Sequence, residues 1–201
     1  MNSPRFLSQA LLSIAVFFAF LPALSTAGLN AGEETDRNLL KNGTFEKGKN
    51  DWELINFGKG GTMVVDKVEL HDGKPTLRIE SFGELTFARQ TVKVKPNTNY
   101  RLSGFIKVKD VVEKGGGGRA GANLIEGMTR VATPAINGTA EWQEVNVEFN
   151  SGNKAEIRVG PAVGWYACKV FGIGWFADVK LTEVRGERRS ARFGESSDAS
   201  Q

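Results

Sequence analysis

The chain has 201 residues, a formal net charge of +3, one histidine and one cysteine. Its 26 basic and 23 acidic residues intermingle instead of forming a basic stripe, which leaves nucleic-acid binding without support. A lone cysteine excludes an internal disulfide, so stability must come from a packed core or a metal.

At the N-terminus, Arg5 supplies a positive start, Leu11 to Leu24 form a short apolar run, and Ser25-Thr26-Ala27 end it on small residues. This pattern predicts a cleaved signal peptide over residues 1–27, with an uncleaved anchor as the alternative. The expectation is an exported protein, secreted or held in the periplasm or cell envelope, with no membrane segment after cleavage. No cysteine follows the apolar run, so lipoprotein anchoring is unsupported. Residues 28–37 are small, polar and charged, which predicts a flexible leader. Residues 185–201 lack apolar periodicity and predict a disordered tail. The folded block runs between them, from 38 to 184.

That block alternates with period two. Leu77 and Ile79 begin the pattern, and Tyr100, Leu102, Ile106 and Val108 continue it against Arg101, Ser103, Phe105, Lys107 and Lys109. Val145, Val147 and Phe149 alternate with Glu144, Asn146 and Glu148, and Ile157 and Val159 with Glu156 and Arg158. Such alternation means strands with one buried face. Turn residues punctuate them at His71-Asp-Gly-Lys-Pro75, Lys95-Pro-Asn-Thr98, Asn137-Gly138 and Ser151-Gly-Asn153. Many short strands without a helical period predict an all-β antiparallel sandwich or jelly roll. The run Gly115 to Gly118 predicts a mobile loop tip. It lacks the Lys-Ser/Thr pair and following helix of a phosphate-binding loop.

Three segments carry a family resemblance. Asn38-Leu-Leu-Lys-Asn-Gly-Thr-Phe-Glu46 followed by Trp52 forms the opening, and Gln90 to Tyr100 running into Arg101-Leu-Ser-Gly104 forms the centre. Gly138-Thr139 with Trp142, and Trp175-Phe-Ala-Asp-Val-Lys-Leu181, form the end. Together they resemble carbohydrate-binding modules with a galactose-binding-like β-sandwich, of the kind appended to xylanases and glucanases. The resemblance implies that fold, a polysaccharide or glycan partner and a separate hydrolase as a further partner. It also implies a structural calcium held by Glu46, Asp178 and a carbonyl near Thr44. The chain departs from the pattern at Ala177, where the family carries a first acid.

Sugar clefts combine aromatic rings with polar side chains, so aromatics on a polar face are the candidates. Phe105 meets that test, with Arg78, Arg89 and Asn123 as polar partners expected on the same surface. Trp165 and Tyr166, beyond Gly160-Pro161 and Gly164, predict an aromatic rim. Phe57 is expected to reach the cleft or anchor its loop, and Phe82 and Phe87 are weaker candidates. Trp52, Trp142 and Trp175 are assigned to structure.

No residue set stands out as catalytic. His71 is expected as a solvated turn residue and Cys168 as a small buried hydrophobe on a strand. Glu80, Glu84 and Glu126 remain the carboxylates available to a glycosidase. The alternatives to a sugar-binding module are an envelope adhesion domain contacting protein and a small jelly-roll hydrolase.

Overall fold

The computed structural model describes residues 37–57, 60–114 and 120–184. The expected signal peptide, nearly all of the leader, the glycine run and the tail lie outside the described residues.

Ten strands follow in order: β1 (Glu53–Asn56), β2 (Gly61–His71), β3 (Lys74–Phe82), β4 (Thr86–Lys93), β5 (Asn99–Lys114), β6 (Ala122–Glu126), β7 (Val131–Ala132), β8 (Gly138–Asn150), β9 (Glu156–Val163) and β10 (Lys169–Glu183). They form two five-stranded antiparallel sheets, β1-β4-β9-β6-β7 and β2-β3-β10-β5-β8. The described residues contain no helix. The all-β sandwich expected from period-two alternation is what the chain forms.

The apolar positions of that alternation face one another across the sandwich. Leu77, Ile79, Leu102, Ile106, Val108, Phe176, Val179 and Leu181 close the core from the second sheet. Ala88, Val92, Ala122, Leu124, Ile157, Val159 and Val163 close it from the first. Burying these faces is the main term that offsets chain entropy in a protein with one cysteine.

Turn chemistry sets the hairpins. Asp72 and Gly73 both take positive φ (48° and 74°) between the paired residues His71 and Lys74, the geometry of a type I′ turn. In the opening segment, Asn42 (φ 49°) is bonded on both sides. Its Nδ2 donates to Gly48 and Asn50 carbonyls at 2.9 Å each, and its Oδ1 accepts from Lys47 N at 3.0 Å. Asn42→Ala is expected to cost about 2 kcal/mol, from lost hydrogen bonds and a left-handed alanine, with urea unfolding as the check.

β10 lies at the centre of the second sheet and carries two register shifts, one at Gly172 and one between Ala177 and Lys180. A Cβ on Gly172 (φ 125°) would stand 2.5 Å from the Asp110 carbonyl oxygen, so only glycine fits there. At the second shift Asp178 takes φ 47°. Phe176 points into the core, and strict alternation would send residue 178 there too. The extra residue of the bulge turns Asp178 outward and lets Val179 fill the core instead.

Asp66 ties β2 to β10. Its Oδ2 accepts from Trp175 Nε1 at 2.9 Å, and its Oδ1 accepts from the Val68 and Glu69 amides at 2.8 and 3.0 Å. Burial alone would raise its pKa. The bonds from Trp175, Glu69 and Val68, with the nearby Arg78 charge, outweigh burial and hold it below the usual carboxylate range. A depressed carboxylate stabilises the fold fully above the unfolded pKa of about 4, and that contribution is lost as pH falls through the folded value. Asp66→Asn is therefore expected to flatten the acid limb of stability below pH about 4, measured as the urea midpoint against pH in both proteins.

Candidate functional site

The expected ligand residues fall on two different surfaces. Phe105 and Arg78 lie on the outer face of the second sheet, where Phe105 pairs with Ala177 and Glu144, and Arg78 with Trp175. Arg89 and Asn123 belong to β4 and β6 of the first sheet. The expectation that they share a surface with Phe105 is corrected by strand order, which sequence alternation does not report.

On the outer face of the first sheet, Ile55, Phe87, Ala162 and Asn123 form one row across β1, β4, β9 and β6. Leu85, Phe87, Ile125 and Ala162 form an apolar cluster there, against which Ile55, Ala132, Trp165 and Tyr166 pack. Phe87 is buried in that cluster and not on a rim. Asn123 is fully buried, and neither atom of its amide has a hydrogen-bond partner in the protein. Arg89 is half-buried and pairs with Glu53 at 2.9 Å. The Glu53 carboxyl sits below its ordinary pKa because the Arg89 hydrogen bond outweighs burial, aided by the Arg89 and Arg158 charges.

Trp165 and Tyr166 form a tight turn, closed by the Cys168 amide donating to the Trp165 carbonyl at 3.1 Å, with Ala167 at φ 62°. Cys168 is buried in that turn, just before β10, and not within a strand. The turn lays Tyr166 across the sheet face. Its hydroxyl donates to the Gly127 carbonyl at 2.9 Å, and the Arg130 guanidinium lies 4.8 Å from its ring centre. Phe57 and Trp165 meet the Tyr166 ring edge-on, with centroids 6.0 and 5.6 Å away.

Two hollows open beside this turn. The first, about 230 Å³, is lined by Phe57, Glu84, Leu85, Trp165, Tyr166 and Cys168, with Ala167 and Lys169 at its edge. The second, about 190 Å³, is lined by Phe82, Phe171, Gly60 and Gly83, and it shares Glu84 and Lys169 with the first. Phe57 and Phe82 are 48% and 54% exposed, more than aromatic rings seek without a partner. The sequence singles out Glu84 only as a carboxylate open to a glycosidase and carries no sign of Lys169, Phe171 or Arg130 as site residues. Phe171 lies in β10 beside the register shift at Gly172, and only the pairing of β10 with β3 sets it opposite Phe82.

The other surface carries the aromatic trio of Phe105, His71 and Trp142. His71 is buried, correcting the solvated turn expected of it, with its ring 4.3 Å from Phe105 and 4.8 Å from Trp142. Asp178 faces His71 and Lys74 at 3.5 and 3.6 Å. Glu46 is exposed and accepts the Thr44 hydroxyl at 2.7 Å. Asp178 is grouped with His71 and Asp72, whose donor atoms lie within 4.8 Å of one another, and Glu46 stands outside that group.

The three carboxylates open to a glycosidase are dispersed. Glu80 pairs with Arg78 at 2.7 Å, and Glu84 edges the two hollows. Glu126 is fully buried and caps the following turn, accepting from Met128 N, Thr129 N and the Thr129 hydroxyl.

The family model described as "Carbohydrate binding domain" matches residues 37–160. Exochitinase 1 of Streptomyces olivaceoviridis is 29% identical over 156 residues, covering 76% of this chain and 24% of that protein. The tRNA(Glu)-specific nuclease WapA of Bacillus subtilis subsp. natto (strain BEST195) is 37% identical over 79 residues, covering 35% of this chain and 3% of that protein. The chain thus spans a quarter or less of these curated relatives. Among solved structures, TmCBM61 in complex with β-1,4-galactotriose aligns with a TM-score of 0.53 at 18% identity, over 74% of this chain and 99% of that one. The CBM22-1 xylan-binding domain of Paenibacillus barcinonensis Xyn10C aligns with a TM-score of 0.51 at 13% identity, over 75% and 97%. At those identities the likeness establishes the fold.

Proposed function

The chain belongs to the carbohydrate-binding domain family, and from that premise we propose that it docks onto a polysaccharide or glycoconjugate through the aromatic end of the sandwich beside the Trp165-Tyr166 turn, without turning it over. The observation that carries this reading is the pair of adjoining hollows that share Glu84 and Lys169. Together they present Phe57, Tyr166 and Trp165 on one side and Phe82 and Phe171 on the other. Aromatic rings cover the apolar faces of pyranoses, and the shared carboxylate and ammonium meet hydroxyls between them. Neighbours of this fold whose own names record galactotriose and xylan support a neutral glycan as the ligand class.

In this reading the module is exported, and a separate hydrolase acts on the glycan that it holds. Glu80 and Glu126 are held in protein contacts, which supports binding without hydrolysis. Calcium is not required for the hollows, because Asp178 and the opening segment contribute nothing to their lining.

The test is a glycan-array and insoluble-polysaccharide pull-down with protein recovered from the medium or envelope, with and without calcium. The expected result is retention on at least one neutral polysaccharide, equal in both conditions, no release of reducing ends, and an N-terminus after Ala27. Release of reducing ends would sink the non-catalytic reading. Silence across the panel from a folded protein would favour an envelope domain that contacts protein.

A further inference from the structure

The outer face of the second sheet holds a group that sugar binding at the hollows does not use. The hairpin turn between β2 and β3 carries His71 and Asp72, and the bulge of β10 carries Asp178. His71 Nδ1 lies 3.5 Å from Asp178 Oδ2 and 3.8 Å from Asp72 Oδ2, and the three donor atoms all lie within 4.8 Å of one another. The imidazole is nine-tenths buried, and its Nδ1 makes no hydrogen bond, although it is the atom turned toward both carboxylates. A buried ring nitrogen without a hydrogen bond calls for an explanation.

We propose that His71, Asp72 and Asp178 form a binding site for a zinc-class divalent metal ion. One imidazole nitrogen and two carboxylate oxygens are the donor set of a borderline ion; calcium and magnesium favour oxygen alone. Donors bound tetrahedrally at about 2.0–2.2 Å stand roughly 3.3–3.6 Å apart, which the two observed separations match within a small side-chain adjustment. The ring is already oriented. Phe105 and Trp142 pack on it from two sides, so little freedom is lost when its nitrogen is ligated. Asp72 is 80% exposed, which leaves a path for the ion and a fourth position for water.

One group opposes the ion. Lys74 Nζ stands 3.6 Å from the other oxygen of Asp178. Lys74 is 44% exposed, so it can swing into solvent when a divalent charge arrives. The metal would clip the end of the β2–β3 hairpin to the bulge of β10, a link that backbone pairing alone does not make.

The test uses the full chain, freed of metal with a chelator and titrated with zinc chloride by calorimetry, with the ring proton signals of the only histidine followed by NMR. One zinc per chain is expected, shifting the His71 signals and raising the melting temperature by about 5 °C at zinc a hundredfold above the dissociation constant. Asp72→Asn, an exposed change that keeps a residue suited to the positive φ of the turn, and Asp178→Asn are each expected to weaken binding at least about tenfold. Lys74→Met is expected to strengthen it. No zinc uptake by the wild type at neutral pH, or uptake that leaves the His71 signals unmoved or is unchanged in Asp72→Asn, overturns the proposal. Glycan retention is measured on the same samples, so failure of this site and failure of the sugar-binding reading remain separable.

Discussion

Tyr166→Ala is expected to weaken glycan binding about 30-fold, the equivalent of roughly 2 kcal/mol for truncating a central aromatic anchor. Tyr166 is the anchor because the other rings are arranged about it. Phe57 and Trp165 meet it edge-on, and Arg130 lies against its ring. Its hydroxyl is already engaged with the Gly127 carbonyl, so the group offered to a ligand is the ring and not the phenol. Tyr166→Phe is accordingly expected to keep most of the affinity, and that contrast separates stacking from hydrogen bonding. Because Tyr166 also covers the apolar cluster on the sheet face, Phe57→Ala provides a second variant in which the fold is not in question. Phe57 is exposed and belongs to neither buried cluster. Affinity on a retained polysaccharide, measured by depletion isotherms, checks all three. Wild-type affinity in both Tyr166→Ala and Phe57→Ala would remove the hollows from consideration.

Phe176→Ala is expected to cost about 3–5 kcal/mol, a large share of the 5–15 kcal/mol typical of a whole domain. Phe176 is fully buried on the central strand β10, paired with Leu77 on one side and Ile106 on the other. Its ring packs so closely that a Cβ on Gly174 would stand 3.0 Å from it. Neighbouring strands hold each other in register, so the cavity left by the ring has little scope to collapse. A urea midpoint that falls with an unchanged denaturant slope would report this as lost packing in a two-state unfolding. A cost below about 1 kcal/mol would mean that the core relaxes into the space.

The comparison of Phe176 with Asp178 shows how far local pattern reaches. Period two places Leu77, Ile79, Leu102, Ile106 and Val108 in the core from sequence alone, and Phe176 is buried among them. Two residues after Phe176, strict alternation would bury Asp178 too, and the residue inserted by the bulge turns it outward instead. A bulge is a local departure that the strand accepts only when its neighbours make the new register favourable. His71 fails for a related reason. Its neighbours Asp72 and Gly73 spell a turn, and the turn forms, but the imidazole is buried by Phe105 and Trp142 from distant strands.

The candidate site divides the same way. Trp165 and Tyr166 stood out because two large aromatics amid turn residues have no local partner to cover them. Phe82 and Phe57 are exposed, as their loop positions suggested. Arg89 and Asn123 belong to the sheet opposite that of Phe105, since alternation says whether a residue faces in or out but not which sheet carries it.

By itself, then, the sequence determined the fold class, the inward faces, the hairpin turns and the family, because each depends on the order of residues within a few positions or on short motifs. Tertiary structure alone decided which strands lie side by side, and with that the meeting of Glu84 and Lys169 with five aromatic rings, and of His71 with Asp178. Those groups lie tens of residues apart in the chain, and only the packing of whole sheets brings them together.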